Sequence, residues 1–249
     1  HERRGSAPGD RRLRGNIDVI TAIKWSCNIF FYDVGRRTTS DVYDAYAYKM
    51  GLGTRTGVEV NEATGRLTTK NDSNYTASLD IQAAIGQGNT VVTPVQLATY
   101  AGTLANRGVR YRATFLNRVI SSDYQTLLAS TEPEILSTCQ ISDDAYYAYT
   151  TGMRMAVTDD RGTVKSYLGD YPVAVAAKTG TPQHGAPGSD NASFVCYAPY
   201  DDPQIAIAVF VEKGAQGGNL ARVAQAIMDV YFSQTQQANA ELPGENVGS

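Results

Sequence analysis

The chain has 249 residues, 42% of them hydrophobic, with 22 Lys and Arg against 25 Asp and Glu for a net charge of −3. That length and apolar share suffice for one domain with a substantial core, and the mild acidity argues against a nucleic-acid partner, although Arg3, Arg4, Arg11, Arg12 and Arg14 crowd the start. Two histidines and three widely spaced cysteines, Cys27, Cys139 and Cys196, offer no zinc site, disulfide framework or Ser-His-Asp triad.

Residues 1–15 are polar, with Gly5, Pro8, Gly9 and Gly15, and read as a flexible lead-in. No apolar run in the chain approaches the roughly 20 residues that cross a bilayer, and the start does not resemble a signal peptide. Asn16 or Asp18 can cap a helix that turns Ile17, Ile20 and Ile23 toward a core. Ser26 and Asn28 follow. Two residues apart on one helix, their side chains would diverge, so both serve one site only if the helix breaks between them, before a second apolar run from Ile29 to Val34.

Thr39 to Met50 has helical spacing and is stopped by Gly51 and Gly53. With Gly57 that pair misses the dinucleotide Gly-x-Gly-x-x-Gly spacing, and no Walker sequence occurs, so a nucleotide site is unsupported. Residues 54–78, rich in Thr, Asn, Gly and Ser, read as an irregular surface excursion. Thr93 then caps a helix with Pro94 at its first position and Gln96 completing a capping box, and Val95, Leu97, Ala101 and Leu104 carry it to Asn106 and Gly108.

Tyr111 to Ile120 alternates enough for a strand or two, and Ser121 to Ser142 is a polar connector with one apolar patch, Thr126 to Ala129. Ser142 opens a helix through Tyr146, Tyr149, Met153 and Val157, its tyrosine stripe reading as packing. Arg161 to Lys165 opens a short helix. The pattern then turns to strands over Val173 to Thr181, Ala192 to Ala198 and Ile205 to Glu212, and a helix runs from Asn219 to near Phe232. Residues 233–249 read as a flexible tail. The fold class is α+β, an antiparallel sheet packed with helices.

The strand from Val173 is small and apolar until it meets Lys178-Thr179-Gly180-Thr181. There it supplies a cation, hydroxyls and a residue without a side chain, an edge that suits an extended substrate bearing a carboxylate. Ser26-Cys27-Asn28 and Lys178-Thr179-Gly180 are the second and third parts of the Ser-x-x-Lys, Ser-x-Asn, Lys-Thr-Gly set of penicillin-binding proteins and serine β-lactamases. Together with Ile29-Phe30-Phe31-Tyr32, Ile85-Gly86-Gln87-Gly88 and Val92 to Ala98, these motifs make the chain resemble the transpeptidase domain of a class B penicillin-binding protein. The elongation type is the nearest, over residues 15 to 232.

The resemblance implies a penicillin-binding-protein/serine β-lactamase-like fold, incomplete at its N-terminus, with residues 16–232 as the C-terminal portion of the domain. It implies peptidoglycan D,D-transpeptidase chemistry on stem peptides ending in D-Ala-D-Ala, with β-lactams as acylating mimics. No cofactor or metal is implied. By resemblance Ser26 relays a proton, Asn28 binds the acyl-donor backbone, Lys178 holds Ser26 and attracts the substrate carboxylate, and Thr179, Gly180 and Thr181 bind along the substrate. The Thr181 amide forms half of the oxyanion hole.

The family's nucleophile is the serine of Ser-x-x-Lys, and no serine here stands three residues before a lysine. Thr21-Ala22-Ile23-Lys24 has the spacing but lies in the helix leading to Ser26. The chain by itself is therefore expected to be inactive and to form no covalent adduct with a β-lactam. A catalytically silent β-lactam sensor or interaction domain, or a D,D-carboxypeptidase or β-lactamase, are the alternatives. The resemblance further implies an extracytoplasmic place at a bacterial membrane, with the anchor outside this chain, and a cell-wall polymerase partner of the shape-determining type. Part of the family's central sheet comes from sequence before Ser-x-Asn, so the strand from Ile205 is expected to lack a neighbour.

Overall fold

The computed structural model describes residues 16–182 and 190–241, so the expected lead-in over 1–15 lies outside the described residues. In chain order it contains α1 (Val19–Trp25), α2 (Asn28–Arg37), α3 (Ser40–Lys49), α4 (Ala77–Ala83) and α5 (Pro94–Ala105). Then come β1 (Val109–Tyr111), β2 (Arg118–Ile120), β3 (Leu127–Ser130), β4 (Ile135–Thr138), α6 (Asp143–Thr158) and α7 (Lys165–Leu168). β5 (Ala176–Gly180), β6 (Ala192–Ala198) and β7 (Ile205–Val211) follow, and a 3₁₀ turn at Gly217–Leu220 leads into α8 (Ala221–Glu241).

β5, β6 and β7 form one antiparallel sheet in that order, and its period of two sorts the core into layers. Ala177, Phe194, Cys196 and Ile207 face one side, where they pack with Leu168 of α7 and Ala224 and Met228 of α8. Ala176 and Tyr197 face the other, against Leu104 of α5 and Met153 of α6. Small alanines in β5 let both layers close on the strand. Phe194 and Tyr197, almost wholly buried on opposite faces, each contribute about 1.5–3 kcal/mol of apolar burial. Lys178 is two residues beyond Ala176, so the same alternation carries it to the α5/α6 face.

The capping box at Thr93 forms as expected, with Thr93 Oγ1 accepting from the Gln96 amide and Gln96 Oε1 accepting from the Thr93 amide. Gln96 Nε2 also donates to the carbonyls of Thr54 and Thr64, and Glu62 accepts from the amides of Thr56 and Gly57. These bonds explain a departure from expectation. Thr56 is fully buried by them, and Thr68, also fully buried, bonds Thr90 Oγ1 and accepts from the Asn89 amide, so part of the 54–78 excursion is held inside by polar satisfaction, where no apolar period announced it.

The connector over 121–142 also differs. It holds β3 and β4, which pair antiparallel with β2 and β1. The helix expected to stop near Phe232 continues to Glu241, which takes in the first part of the expected tail. β7 has no further strand on its outer side among the described residues, and Phe210 and Val211 are exposed there. No described helix is long and apolar enough to cross a membrane.

Candidate active site

α1 ends at Trp25, and Ser26 takes left-handed backbone angles, φ 55° and ψ 48°. Its amide donates to the Ile23 carbonyl and the Cys27 amide to that of Ala22, closing the helix end. Buried Cys27 then caps α2, whose first residue is Asn28. The chain therefore breaks between Ser26 and Asn28, as their spacing requires. A non-glycine residue in this region costs about 1–2 kcal/mol, and neighbouring contacts hold it there.

Those contacts clamp α1 onto α6. Gly152 admits α1 so closely that a Cβ there would lie 2.8 Å from Ile23 Cβ. Lys24, nearly buried, donates to Asp159 Oδ2 at 3.0 Å. The Trp25 ring lies near both Lys24 Nζ, 4.8 Å from its centroid, and Arg161 Cζ, at 4.3 Å. The Arg161 amide donates to Asp159 Oδ1 at 3.0 Å, and together these donors hold the Asp159 carboxyl below its usual range. Sequence reasoning missed this clamp. Lys24 was visible only as part of a chance Thr-x-x-Lys, and Asp159 lies 135 residues away from it.

Lys178 Nζ donates to Ser26 Oγ at 2.6 Å and to the Thr179 carbonyl at 2.7 Å. Among the described residues no carboxylate pairs with it, and burial pushes its ammonium down to about 8. Beside it opens a cavity of about 630 Å³ with a mostly apolar lining that includes Ile23, Tyr100, Leu104, Tyr149 and Met153. The structure thus joins Ser26 and Lys178 directly. Asn28 opens α2 and makes no side-chain hydrogen bond among the described residues.

Thr179 and Gly180 continue β5 beside Lys178, and Thr181 Oγ1 accepts from the Gly217 amide at 3.4 Å. The close approach expected at Gly180 is made by the chain itself. A Cβ there would lie 2.2 Å from Ser193 Oγ, and one at Gly217 would lie 2.4 Å from the Gly180 carbonyl oxygen. No His, Cys, Asp and Glu grouping suited to a metal occurs among the described residues. His184 lies outside them.

Residues 7–229 match the penicillin binding protein transpeptidase domain family. The chain is 28% identical to penicillin-binding protein 2A of Bacillus subtilis, over 93% of this chain and 37% of that protein. It is 32% identical to peptidoglycan D,D-transpeptidase PbpA of Mycolicibacterium smegmatis, over 82% of this chain and 42% of that one. It therefore spans about two fifths of the length of these relatives. The Pseudomonas aeruginosa PBP2 structure in complex with WCK 5153 superposes with a TM-score of 0.75 at 27% identity, covering 86% of this chain and 49% of that one. The shared fold, the matched residues and the contact of the Ser-x-Asn turn with the Lys-Thr-Gly strand agree, and the chain belongs to the penicillin-binding-protein transpeptidase domain family.

Proposed function

We propose that this chain is the part of a peptidoglycan D,D-transpeptidase that carries the Ser-x-Asn and Lys-Thr-Gly motifs, and that the acylated serine comes from outside these residues. The observation that carries this reading is the 2.6 Å hydrogen bond from Lys178 to Ser26. It places a hydroxyl beside an amine whose proton is loosened by burial, the arrangement a proton relay to a leaving group needs.

In this reading Ser26 passes the proton and Lys178 sets its affinity for it. Asn28 hydrogen-bonds the backbone of a stem peptide ending in D-Ala-D-Ala. Thr179 and Thr181 bind its terminal carboxylate, the substrate lies along β5 beside Gly180, and the Thr181 amide donates to the oxyanion. β-Lactams acylate by the same route. The whole protein works on the outer side of a bacterial cell membrane with a cell-wall polymerase partner of the shape-determining type, and another polypeptide segment covers the outer edge of β7.

The test is fluorescent-penicillin labelling and stem-peptide crosslinking by the whole protein from which this chain comes. Lys178→Met and Ser26→Ala are each expected to slow acylation by roughly 10²-fold or more. Unchanged acylation in both variants would refute the assignment, and acylation with no crosslinked product would favour a silent β-lactam sensor.

A further inference from the structure

The relay works only at contact distance, 2.6 Å from Lys178 Nζ to Ser26 Oγ, and its two members stand 152 residues apart in the chain. Ser26 is on the turn after α1 and Lys178 is inside β5. We propose that Asp159 is a positioning residue for this relay, acting through Lys24 to hold Ser26 within reach of Lys178. The proposal rests on the transpeptidase reading of the site and adds to it a residue that neither motif contains.

α6 is the frame between the two halves. On one side it is tied to the strand that carries Lys178. Arg154 Nη1 donates to the carbonyl of Val175, the residue just before β5, at 2.9 Å, and Met153 packs with Ala176. On the other side it is tied to α1, where Gly152 admits Ile23 and Asp159, which ends α6, receives Lys24. A packed helix passes a displacement at one tie on to the other.

The Asp159 end is built for orientation. Its Oδ1 accepts from the Arg161 amide and its Oδ2 from Lys24 Nζ, each at 3.0 Å, so both oxygens are engaged. The Lys24 side chain is 8% exposed, and Asp159 is the one carboxylate that pairs with it among the described residues. A nearly buried ammonium with one charged partner is held firmly, because parting from it would leave the charge uncompensated. Between Lys24 and Ser26 the Trp25 ring is packed under Arg161 Cζ at 4.3 Å, which leaves little slack before the turn. Ser26 itself does not favour the turn, since its Cβ disfavours a φ of 55°. Relaxation of that angle would swing Oγ off Lys178, and a misplacement of about 1 Å costs roughly 10²-fold in rate.

The experiment follows acylation of the whole protein from which this chain comes by a fluorescent penicillin. It is run over a range of concentrations, so that the limiting rate and the half-saturating concentration are read separately. Asp159→Asn and Lys24→Met are each expected to lower the limiting rate by roughly 10- to 10²-fold. The half-saturating concentration should move by less than about 2-fold, because the groups that bind substrate in this reading, Thr179 and Thr181, are untouched. The double variant is expected to be no slower than the slower single one, since the two side chains act as one unit. Asp159→Glu keeps the charge and is expected to recover most of the rate. Glu134→Gln, which removes the exposed pair with Arg112, should leave it unchanged.

Lys24→Met strands no buried charge, since Asp159 is 28% exposed and keeps the Arg161 amide. It therefore carries the test even where Asp159→Asn fails to fold. Limiting rates unchanged in both single variants, while Ser26→Ala lowers the rate, overturn the proposal and leave the relay reading standing. Unchanged acylation in Ser26→Ala and Lys178→Met is instead the failure of that reading, and takes the proposal with it. Losses that multiply in the double variant, or that appear only in the half-saturating concentration, mark a structural role alone and overturn the proposal equally.

Discussion

Asp44 lies in α3 at 9% exposure, and its carboxyl is pushed up to about 6, first by burial and then by the charges of Asp80, Asp41 and Asp72. Around it, Tyr43 donates to the Asp80 carbonyl, Tyr75 donates to Asp80 Oδ2, and Lys70 pairs with Asp41. None of these groups neutralises Asp44 itself. A folded-state value above the unfolded 3.8 means that the native protein binds the extra proton between those pH values. Stability from this group is therefore full below about 3.8 and falls as pH rises through about 6.

Moving a carboxyl over that range is equivalent to about 3 kcal/mol at neutral pH. Solvent screening near the surface reduces the working figure to about 1–2 kcal/mol. Asp44→Asn removes the ionisation and keeps the shape. At a pH of about 7.5 it should raise Tm by roughly 2–8 °C for a domain of this size. The gain should shrink toward zero at a pH of about 4, where wild-type Asp44 is protonated in the fold and about half protonated in the unfolded chain. Paired thermal melts across that range check it. A variant that is less stable at pH about 7.5, or a gain independent of pH, would refute the reasoning.

Gly152→Val should push α1 off α6, because the first added carbon already lies 2.8 Å from Ile23 Cβ. A loss of about 1–3 kcal/mol is expected by urea melts. The uncovered outer edge of β7, with Phe210 and Val211 exposed, should make the chain self-associate on size-exclusion chromatography. A well-behaved monomer containing only these 249 residues would contradict the proposal that another polypeptide covers that edge.

What the sequence made legible was local. The Ser26–Asn28 spacing demanded a helix break because two side chains two residues apart on a helix diverge, and Thr93-Pro94-Val95-Gln96 spelled its own cap. The three core strands were visible in their apolar runs, although Val173 to Val175 fall outside β5 and the strand stops at Gly180. β3 and β4 were missed for a physical reason. All but one of their residues are exposed, so no buried face imposed the alternation that marks a strand. The buried polar loop over 54–78 was missed because hydrogen bonds to Glu62 and Gln96 leave no periodicity in sequence.

The candidate site divides along the same line. Lys178 and Ser26 were legible because each belongs to a short motif, but nothing local says why Ser26 keeps a left-handed turn. That answer is spread over Gly152, Asp159 and Arg161, on or just beyond α6, and each contributes one contact to α1. An ion pair across 135 residues follows from tertiary packing, and the packing follows from the absence of a side chain at Gly152, which lets α1 come close enough for Lys24 to reach Asp159. The Ser26 turn is therefore held from the second half of α6 and the residues just after it, through contacts made to Ile23, Lys24 and Trp25 of α1.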